Sequence, residues 1–295
     1  MKIPGLWVGL VMASIVYASG QVSIEVTQDQ QQFLPGESVN VKVRITNLSG
    51  RELHLGGEED WLTFAVESRE GIVVPKLGEA PVQGDFVLAS SKVATKRVDL
   101  GPYFSLTRAG TYQIVATMRI REWSREITSP PRSFDVIQGV KLWEQEVGVP
   151  QPGGNAEPEI RRYILQQANY VRGQIRLYLR VTDLYGRPVR VQTLGSLVSF
   201  GRPEAQVDQA SNLHVLFQDG ASSFTYVVSN LQGELVKRQS YDYADSRPRL
   251  RPDDEGNIAV AGGTRRLTEK DVPPSMSDEM SESATNQVTV TKPAP

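Results

Sequence analysis

"RPEAQVDQASNLHVLFQ" (Arg202–Gln218) and "RPRLRPDDEGNIAVAGG" (Arg247–Gly263) are two copies of one phrase, offset by 45 residues. Both begin with Arg-Pro, place an Asp and an Asn at matching positions, and contain an alternating apolar run. Alternation with a period of two predicts β-strands. Such a repeat marks either a copied structural unit or a copied functional site, and the rest of the chain decides between the two.

A second phrase repeats with almost the same spacing. "LRVTDLYGRPVRVQTL" (Leu179–Leu194) aligns with "YVVSNLQGELVKRQSY" (Tyr226–Tyr241) at an offset of 47 residues. A period near 45 residues is typical of a propeller blade, in which four antiparallel strands form one unit. The complete unit runs from Arg202 to Ser246, and its predicted strands are "EAQVD", "LHVLFQ", "SFTYVVS" and "ELVKRQSYDY".

The turns of the repeat are "QASN" and "NLQG", with "DEGN" and "DLYG" in the other copies, and these residue types accept tight turns. From Ile175 to Arg266 the sequence resembles blades of sialidase-like or BNR-like propellers, which implies blade-like β-repeats over residues 159–267. Only about two and a half blades are present, too few to close a propeller, so sialidase activity is not carried over. The repeats either stack on a first domain or complete a ring with other chains, and stacking is favoured.

Residues 21–138 predict an Ig-like β-sandwich. Val22, Ile24 and Val26 alternate with polar residues, and Val39, Val41, Val43 and Ile45 do the same. Six further strand-like runs are "WLTFAVES", "GIVVPK", "DFVLAS", "KRVDL", "GTYQIVATMRIR" and "RSFDVIQ". Eight short strands at this spacing favour a sandwich. The predicted fold class is therefore all-β: a sandwich, then blade-like antiparallel repeats, with one short helix between them.

The N-terminal 20 residues predict a secretory signal peptide. Lys2 precedes an apolar stretch from Ile3 to Ala18 that is short for a membrane span, and small residues follow. We therefore expect a secreted or periplasmic protein with no membrane span after cleavage; an uncleaved anchor is the weaker alternative. The chain has no cysteine, which excludes disulfides, Cys-zinc sites, thiol nucleophiles and a lipoprotein anchor.

Two segments have a different composition from the predicted strands. Residues 139–158 are predicted to be a junction and linker, in which the segment around Trp143 packs along one domain. Glu159–Tyr170 has Ile160, Tyr163 and Ile164 at helical spacing, which predicts a short amphipathic helix. Residues 268–295 are rich in Ser, Pro, Thr and acidic residues and are predicted to be disordered.

The segment "PGESVNVKVRITNLSGRELHL" followed by "WLTFAVESREGIVV" resembles bacterial Ig-like modules and, more narrowly, the bacterial intracellular proteinase inhibitor family. The resemblance implies a sandwich. An intracellular setting conflicts with the signal peptide, so the fold is carried over and inhibition is not. Tyr112 in "GTYQIV" is predicted to be structural, with its hydroxyl tying a corner of the sandwich.

Catalytic chemistry is not indicated. Neither histidine belongs to a known motif, and the other copy of the repeat has Ala259 where the first has His214, which favours a surface or edge histidine. Glu58–Asp60 and Asp253–Asn257 offer oxygen atoms of the kind that bind calcium, but solvated or turn-forming acids are favoured at both. The 32 basic and 34 acidic residues form no basic run, so nucleic acid is an unexpected partner. No catalytic, cofactor-binding or metal-binding residue is predicted, and no cofactor.

Aromatic residues of the second domain, which we expect to be exposed and which are interleaved with arginines, are the best lead for partner binding, because Tyr and Arg are favoured at interfaces. The candidate residues are Tyr178, Tyr185, Phe224, Tyr226, Arg202 and Arg247. Ordinary strand residues with solvated neighbours are the alternative. The leading hypothesis is a secreted, non-enzymatic binding or scaffold protein for a protein or glycan. The alternatives are a glycan-directed accessory or hydrolase subunit completed by oligomerisation, and a proteinase inhibitor through the first domain; the oligomeric state stays open.

Overall fold

The computed structural model describes residues 22–149, 159–253 and 257–272. Within these ranges the chain forms twenty-one β-strands, three short 3₁₀ turns and no α-helix, so the predicted all-β class is confirmed. None of the described segments is a helix long and apolar enough to cross a membrane. The predicted signal peptide and "QPGGNAEP" of the predicted linker lie outside the described residues.

Residues 22–136 form two packed sheets, which we call the N-terminal sandwich. Its strands are β1 (Val22–Gln28), β2 (Gln32–Phe33), β3 (Asn40–Asn47), β4 (Leu53–Leu55), β5 (Leu62–Ser68), β6 (Phe86–Leu88), β7 (Lys92–Asp99), β8 (Gly110–Ile120), β9 (Arg125–Thr128) and β10 (Arg132–Val136). One sheet has the order β1-β3-β7 and the other β2-β10-β8-β5, with β9 on β8 and a separate β4-β6 pair. The alternating residues meet in one core, as Ile24, Val43 and Ile114 illustrate.

Seven of the eight strand-like runs form strands in the sandwich. The exception is "GIVVPK", for which the prediction was wrong. Val73 is 85% exposed, and this segment contributes only a single bridge from Lys76 to Phe104. The predicted role of Tyr112 is confirmed, because its buried side chain donates a hydrogen bond from Oη to the Arg108 carbonyl at 2.8 Å.

Residues 140–272 form what we call the C-terminal sheet stack. Its strands are β11 (Val140–Val149), β12 (Glu159–Tyr170), β13 (Gln174–Asp183), β14 (Pro188–Leu197), β15 (Glu204–Val207), β16 (Leu213–Gln218), β17 (Ser223–Ser229), β18 (Leu235–Asp242), β19 (Arg249–Pro252), β20 (Ile258–Ala261) and β21 (Thr264–Arg266). The strands β11 to β14 form one antiparallel sheet in chain order, β15 to β18 with β21 form the next, and β19 pairs with β20.

The four strands predicted between Arg202 and Ser246 are confirmed as β15 to β18. Their sheet packs through Val215, Phe217 and Val227 on the β11–β14 sheet. Its other face packs through Phe224 and Tyr226 on the β19–β20 hairpin. The layers are therefore stacked, and the described strands close neither a barrel nor a propeller within one chain.

The repeated phrase corresponds to two hairpins with one kind of turn. In the first copy, the Asp208 carboxylate accepts hydrogen bonds from the backbone N–H of Asn212 at 2.7 Å and from its side-chain amide at 3.0 Å. In the second copy, Asp253 accepts the same two bonds from Asn257, at 2.8 and 3.3 Å. The shared Asp and Asn therefore fix backbone geometry, as the sequence predicted.

The helix predicted at Glu159–Tyr170 is wrong, because this segment is strand β12 and pairs with β11 and β13. Tyr163 and Leu165 face the second sheet, whereas Ala168 faces the N-terminal sandwich. A strand buried on both faces carries apolar residues at neighbouring positions, and this produces a false helical spacing.

Two further predictions need correction. Val140–Val149, assigned to the junction, is an edge strand of the sheet. The packing predicted for the Trp143 segment is confirmed, because Trp143 and Val147 pack on the core of the sheet stack. Thr268 to Val272, assigned to a disordered tail, are ordered: Val272 exchanges backbone hydrogen bonds with Arg238, and the buried Asp271 pairs with Arg265. Residues 273–295 of the predicted tail lie outside the described residues.

The sheet stack also contacts the sandwich. Leu34, in the turn after β2, packs with Ala168, Tyr178 and Val191 on the outer face of the β11–β14 sheet. The Arg180 guanidinium donates a hydrogen bond to the Pro35 carbonyl at 2.6 Å. This contact agrees with the stacked arrangement expected from the sequence.

Candidate functional site

An open groove lies between the start of β11 and the loop that joins β14 to β15. It encloses about 500 Å³. Its lining residues are Lys141, Leu142, Trp143, Gln167, Ser199, Phe200, Gly201, Arg202 and Pro203. We call it the Phe200 groove. It lies where the chain crosses from one sheet of the stack to the next.

Phe200 is presented to solvent by a tight turn. The Gly201 N–H donates to the Val198 carbonyl at 3.1 Å, and the Val198 N–H donates to the Gln218 carbonyl at 3.1 Å. A Cβ at Gly201 would come within 2.7 Å of the Val198 side chain and displace it, so this turn favours glycine. Phe200 is consequently 78% exposed, although an aromatic side chain gains much from burial.

Further apolar surface surrounds Phe200. Leu142 and Val140 are exposed at the start of β11, whereas Trp143 is half-buried against the core of the sheet stack. The pairing of β11 with β12 shifts between Lys141 and Trp143, which makes Leu142 the extra residue of a bulge. Together these residues form an exposed apolar patch, which is the kind of surface that marks interaction sites.

The groove carries positive charge. The Lys141 ammonium pairs with Glu144, so part of its charge is neutralised. Arg202 is exposed and has no ion pair or hydrogen bond among the described residues. A guanidinium in this position is free to form a bidentate pair with a carboxylate.

The outer edge of β11 adds unpaired backbone groups. β11 is the first strand of its sheet and has β12 as its sole neighbour among the described strands. An edge strand can pair with an added strand through its free N–H and C=O groups.

The structure places the six residues predicted from sequence in different surroundings. Tyr178, Phe224 and Tyr226 are buried, so the assumption that they are exposed was wrong. Tyr185 is 81% exposed at the β13–β14 turn, with the Arg187 guanidinium 5.4 Å from its ring centre. Arg247 lies 5.2 Å from the centre of the Phe224 ring, and Arg202 lines the Phe200 groove.

His214 was expected at a surface or edge and is instead buried. Its Nδ1 lies 2.7 Å from the Tyr226 hydroxyl, and its Nε2 lies 3.0 Å from the Asp208 carboxylate. Burial raises the pKa of Tyr226 to about 12. Burial acts to raise the pKa of Asp208, but the hydrogen bonds from His214 and Asn212 outweigh it and lower this pKa. Because His214 bonds to both Asp208 and Tyr226 beneath the β19–β20 hairpin, we interpret the three groups as a structural network.

A second concavity, of about 370 Å³, lies between the sandwich and the sheet stack, where Glu37 faces Val191. Burial raises the pKa of Glu37, although hydrogen bonds from the Leu34 N–H and the Gln30 amide act in the opposite sense. These bonds hold the turn that packs on the sheet stack. The polar groups here therefore serve the contact between the two parts of the chain.

The acidic turn considered for calcium is used for ion pairs. Asp60 pairs with Arg119, and Glu58 pairs with Arg121. In the other turn considered, Asp253 accepts the bonds from Asn257 already described. No group of three or more potential metal ligands converges among the described residues.

Sequence reasoning did not select Phe200, Leu142 or Trp143 as a site. A signal was present in "SFGRP" (Ser199–Pro203), where a large aromatic residue stands inside a turn composition. Turn residues are normally exposed, so a phenylalanine there could have indicated a binding surface.

Comparisons with known proteins add little to this picture. No protein-family model and no curated protein sequence matches the chain. Among solved structures, the crystal structure of Spo0M, a sporulation control protein from Bacillus subtilis, matches with a TM-score of 0.30 and 9% identity. The match covers 55% of this chain and 80% of that one. At this score the likeness supports no argument about fold or function.

Proposed function

We propose that this protein is a secreted, non-enzymatic binding module that captures an extended, acidic segment of a protein partner in the Phe200 groove. The observation that carries the proposal is the exposed Phe200 beside Arg202, whose charge has no partner among the described residues. In a ligand that carries an apolar side chain next to a carboxylate, the side chain would cover Phe200 and the carboxylate would pair with Arg202.

The expected energies favour these two residues as the main determinants. Complete burial of a phenylalanine side chain contributes about 1.5–3 kcal/mol. A guanidinium–carboxylate pair with good geometry adds a charge-assisted hydrogen bond. The free edge of β11 offers backbone groups to an extended chain, which fits strand addition.

The lining of the Phe200 groove argues against glycoside hydrolysis. That reaction normally uses a pair of carboxyl groups. No Asp or Glu is among the lining residues of the Phe200 groove. The resemblances to Ig-like modules and to propeller blades remain proposals about fold and carry no part of this function.

Selection from a random peptide library tests the proposal. Twelve-residue peptides displayed on phage are selected on the purified protein, and the enriched peptides are synthesised for titration calorimetry. We expect acidic peptides with one aromatic or aliphatic anchor, whose affinity falls at least about tenfold in Phe200→Ser and in Arg202→Glu. Tyr185→Ser, at an exposed aromatic residue outside the groove, is the matched control. The proposal is wrong if nothing is enriched, or if the peptides bind the Phe200→Ser and Tyr185→Ser variants equally well.

A further inference from the structure

The described part of the chain ends at Val272, which is linked through Arg238 to strand β14. Val272 accepts a hydrogen bond from the Arg238 N–H at 2.9 Å and donates one to the Arg238 carbonyl at 3.0 Å. The Arg238 guanidinium in turn donates to the Leu194 carbonyl at 2.9 Å. Leu194 lies on β14, the strand that leads into the loop carrying Phe200. Residues 273–295 therefore follow a residue that a single side chain, Arg238, connects to the strand entering the groove.

The groove is within reach of the residues that follow. Leu194 and Phe200 are six residues apart in the sequence, so at most about 20 Å separates them, and the turn at Val198–Gly201 shortens this path. The path from Val272 also crosses the Arg238 side chain to Leu194. The ten steps from Val272 to Glu282 span up to about 33–36 Å when extended, so the far end of Ser275–Glu282 is within reach of the groove.

The chemistry of that segment matches the groove. "SMSDEMSE" (Ser275–Glu282) has two methionines and three carboxylates and carries no basic residue. Methionine side chains are flexible and contact aromatic rings favourably, which suits Phe200. The carboxylates complement Arg202, which has no other partner among the described side chains.

We propose that Ser275–Glu282 of the same chain occupies the Phe200 groove and competes with the partner segment. This inference rests on the proposed function, because it assigns an internal competitor to the same surface. Attachment to the chain gives the segment an effective concentration in the millimolar range, so weak docking is enough to occupy the groove. A partner with micromolar affinity would displace it.

Engineered disulfides test the occupancy in the full-length protein. The chain has no cysteine, so a pair can be introduced without interference. Ser199→Cys at the rim of the groove is combined with Ser281→Cys, and disulfide formation with diamide is followed on non-reducing gels and by mass spectrometry. The control combines Tyr185→Cys, beyond the opposite end of β14, with Ser281→Cys.

We expect the Ser199/Ser281 pair to form an intramolecular disulfide at least about five times faster than the Tyr185/Ser281 pair. Equal rates would overturn the proposal. Covalent dimers through Ser199 and Ser281 would also overturn it, because they would identify a second copy as the occupant.

Peptide binding to a full-length variant separates this proposal from the proposed function. The variant carries Met276→Ser, Asp278→Asn, Met280→Ser and Glu282→Gln, and all described residues stay unchanged. We expect the selected peptides to bind this variant about 2–10 times more tightly than the natural chain.

The two proposals fail in different ways. Unchanged affinity together with equal disulfide rates would overturn occupancy by the segment and leave the proposed function standing. Absence of peptide binding together with rapid Ser199/Ser281 disulfide formation would overturn the proposed function and support an internal contact.

Discussion

The β11–β14 sheet packs on both of its faces, and the two contacts are built from different residues. The inner face presents Tyr163, Leu165 and Leu179 to the second sheet of the stack, and this contact is a continuous apolar core. On the outer face, Arg180 donates hydrogen bonds to the Gln166 side chain and the Pro35 carbonyl. The apolar part of that outer contact is a small cluster around Leu34.

The difference indicates that the inner contact contributes most of the stability, whereas the outer contact is sensitive to single polar changes and to pH. Apolar burial is non-directional and scales with area, so the inner contact tolerates small shifts but loses much when side chains are truncated. Hydrogen bonds and buried charges depend on geometry and pH, so the outer contact should respond to single polar changes. The four predictions below test this contrast, from the largest expected effect to the smallest.

Leu179→Ala tests the inner face, where this side chain is buried. We expect the free energy of unfolding to fall by about 2–5 kcal/mol, because the substitution removes buried methyl groups and leaves a cavity. Urea unfolding followed by circular dichroism measures the loss. Val189→Ala, at an exposed position of the same sheet, should change the stability by less than about 0.5 kcal/mol. A loss below about 1 kcal/mol for Leu179→Ala would contradict the apolar description.

Arg180→Met tests the outer face. Burial lowers the pKa of Arg180, and its guanidinium donates hydrogen bonds to the Gln166 side chain and to the Pro35 carbonyl. Methionine keeps most of the stem but leaves both acceptors without this donor, so we expect a loss of about 1–3 kcal/mol in the same unfolding measurement. An unchanged midpoint would show that water replaces the guanidinium at no cost.

Tyr163→Phe and Tyr178→Phe form a matched pair on the two faces, since both tyrosines are 0% exposed. The Tyr163 hydroxyl donates to the Ser211 carbonyl at 2.9 Å. The Tyr178 hydroxyl has no partner in hydrogen-bond geometry among the described residues, although the Arg176 guanidinium approaches it. We expect Tyr163→Phe to cost about 0.5–1.5 kcal/mol and Tyr178→Phe to be neutral or stabilising. Equal losses in thermal unfolding would contradict the assigned bonding.

Glu37→Gln tests the pH dependence of the outer contact and should have the smallest effect. Burial raises the pKa of Glu37 in the folded state, so the native protein holds this proton more tightly than the unfolded chain does. Stability attributable to Glu37 is therefore present at low pH and is lost as the pH rises through the raised pKa. We expect the difference in unfolding free energy between the natural chain and the variant, measured by urea unfolding, to fall as the pH rises from about 4 through the raised pKa. Parallel pH profiles would contradict the assignment.

The sequence predicted well those features that depend on neighbouring residues. The strands β15 to β18 and their turns follow from local alternation and from Asp and Asn at fixed positions, and both were found. Tyr112 was placed correctly because its hydroxyl bonds to a carbonyl four residues earlier. The partners in such contacts are only a few residues apart, so a short stretch of sequence contains both of them.

The errors concern surfaces that are covered by distant parts of the chain. Glu159–Tyr170 resembles a helix because the sandwich covers one face and β16 with β17 cover the other. Tyr178 was predicted to be exposed because the residue that covers it, Leu34, lies far away in the sequence. Phe200 was overlooked for the opposite reason, because no distant segment covers it among the described residues.

The β19–β20 hairpin has a consequence for how the stack ends. A sheet with two apolar faces buries both only when another layer packs on each face. Repeat proteins therefore need a terminal unit that ends the addition of layers. Here the shortened copy of the repeat covers Leu216, Phe224 and Tyr226 with Leu250, and the Glu204 carboxylate anchors it by accepting from the Leu250 N–H at 2.9 Å. The phrase that occurs twice thus builds an interior layer in its first copy and terminates the array in its second.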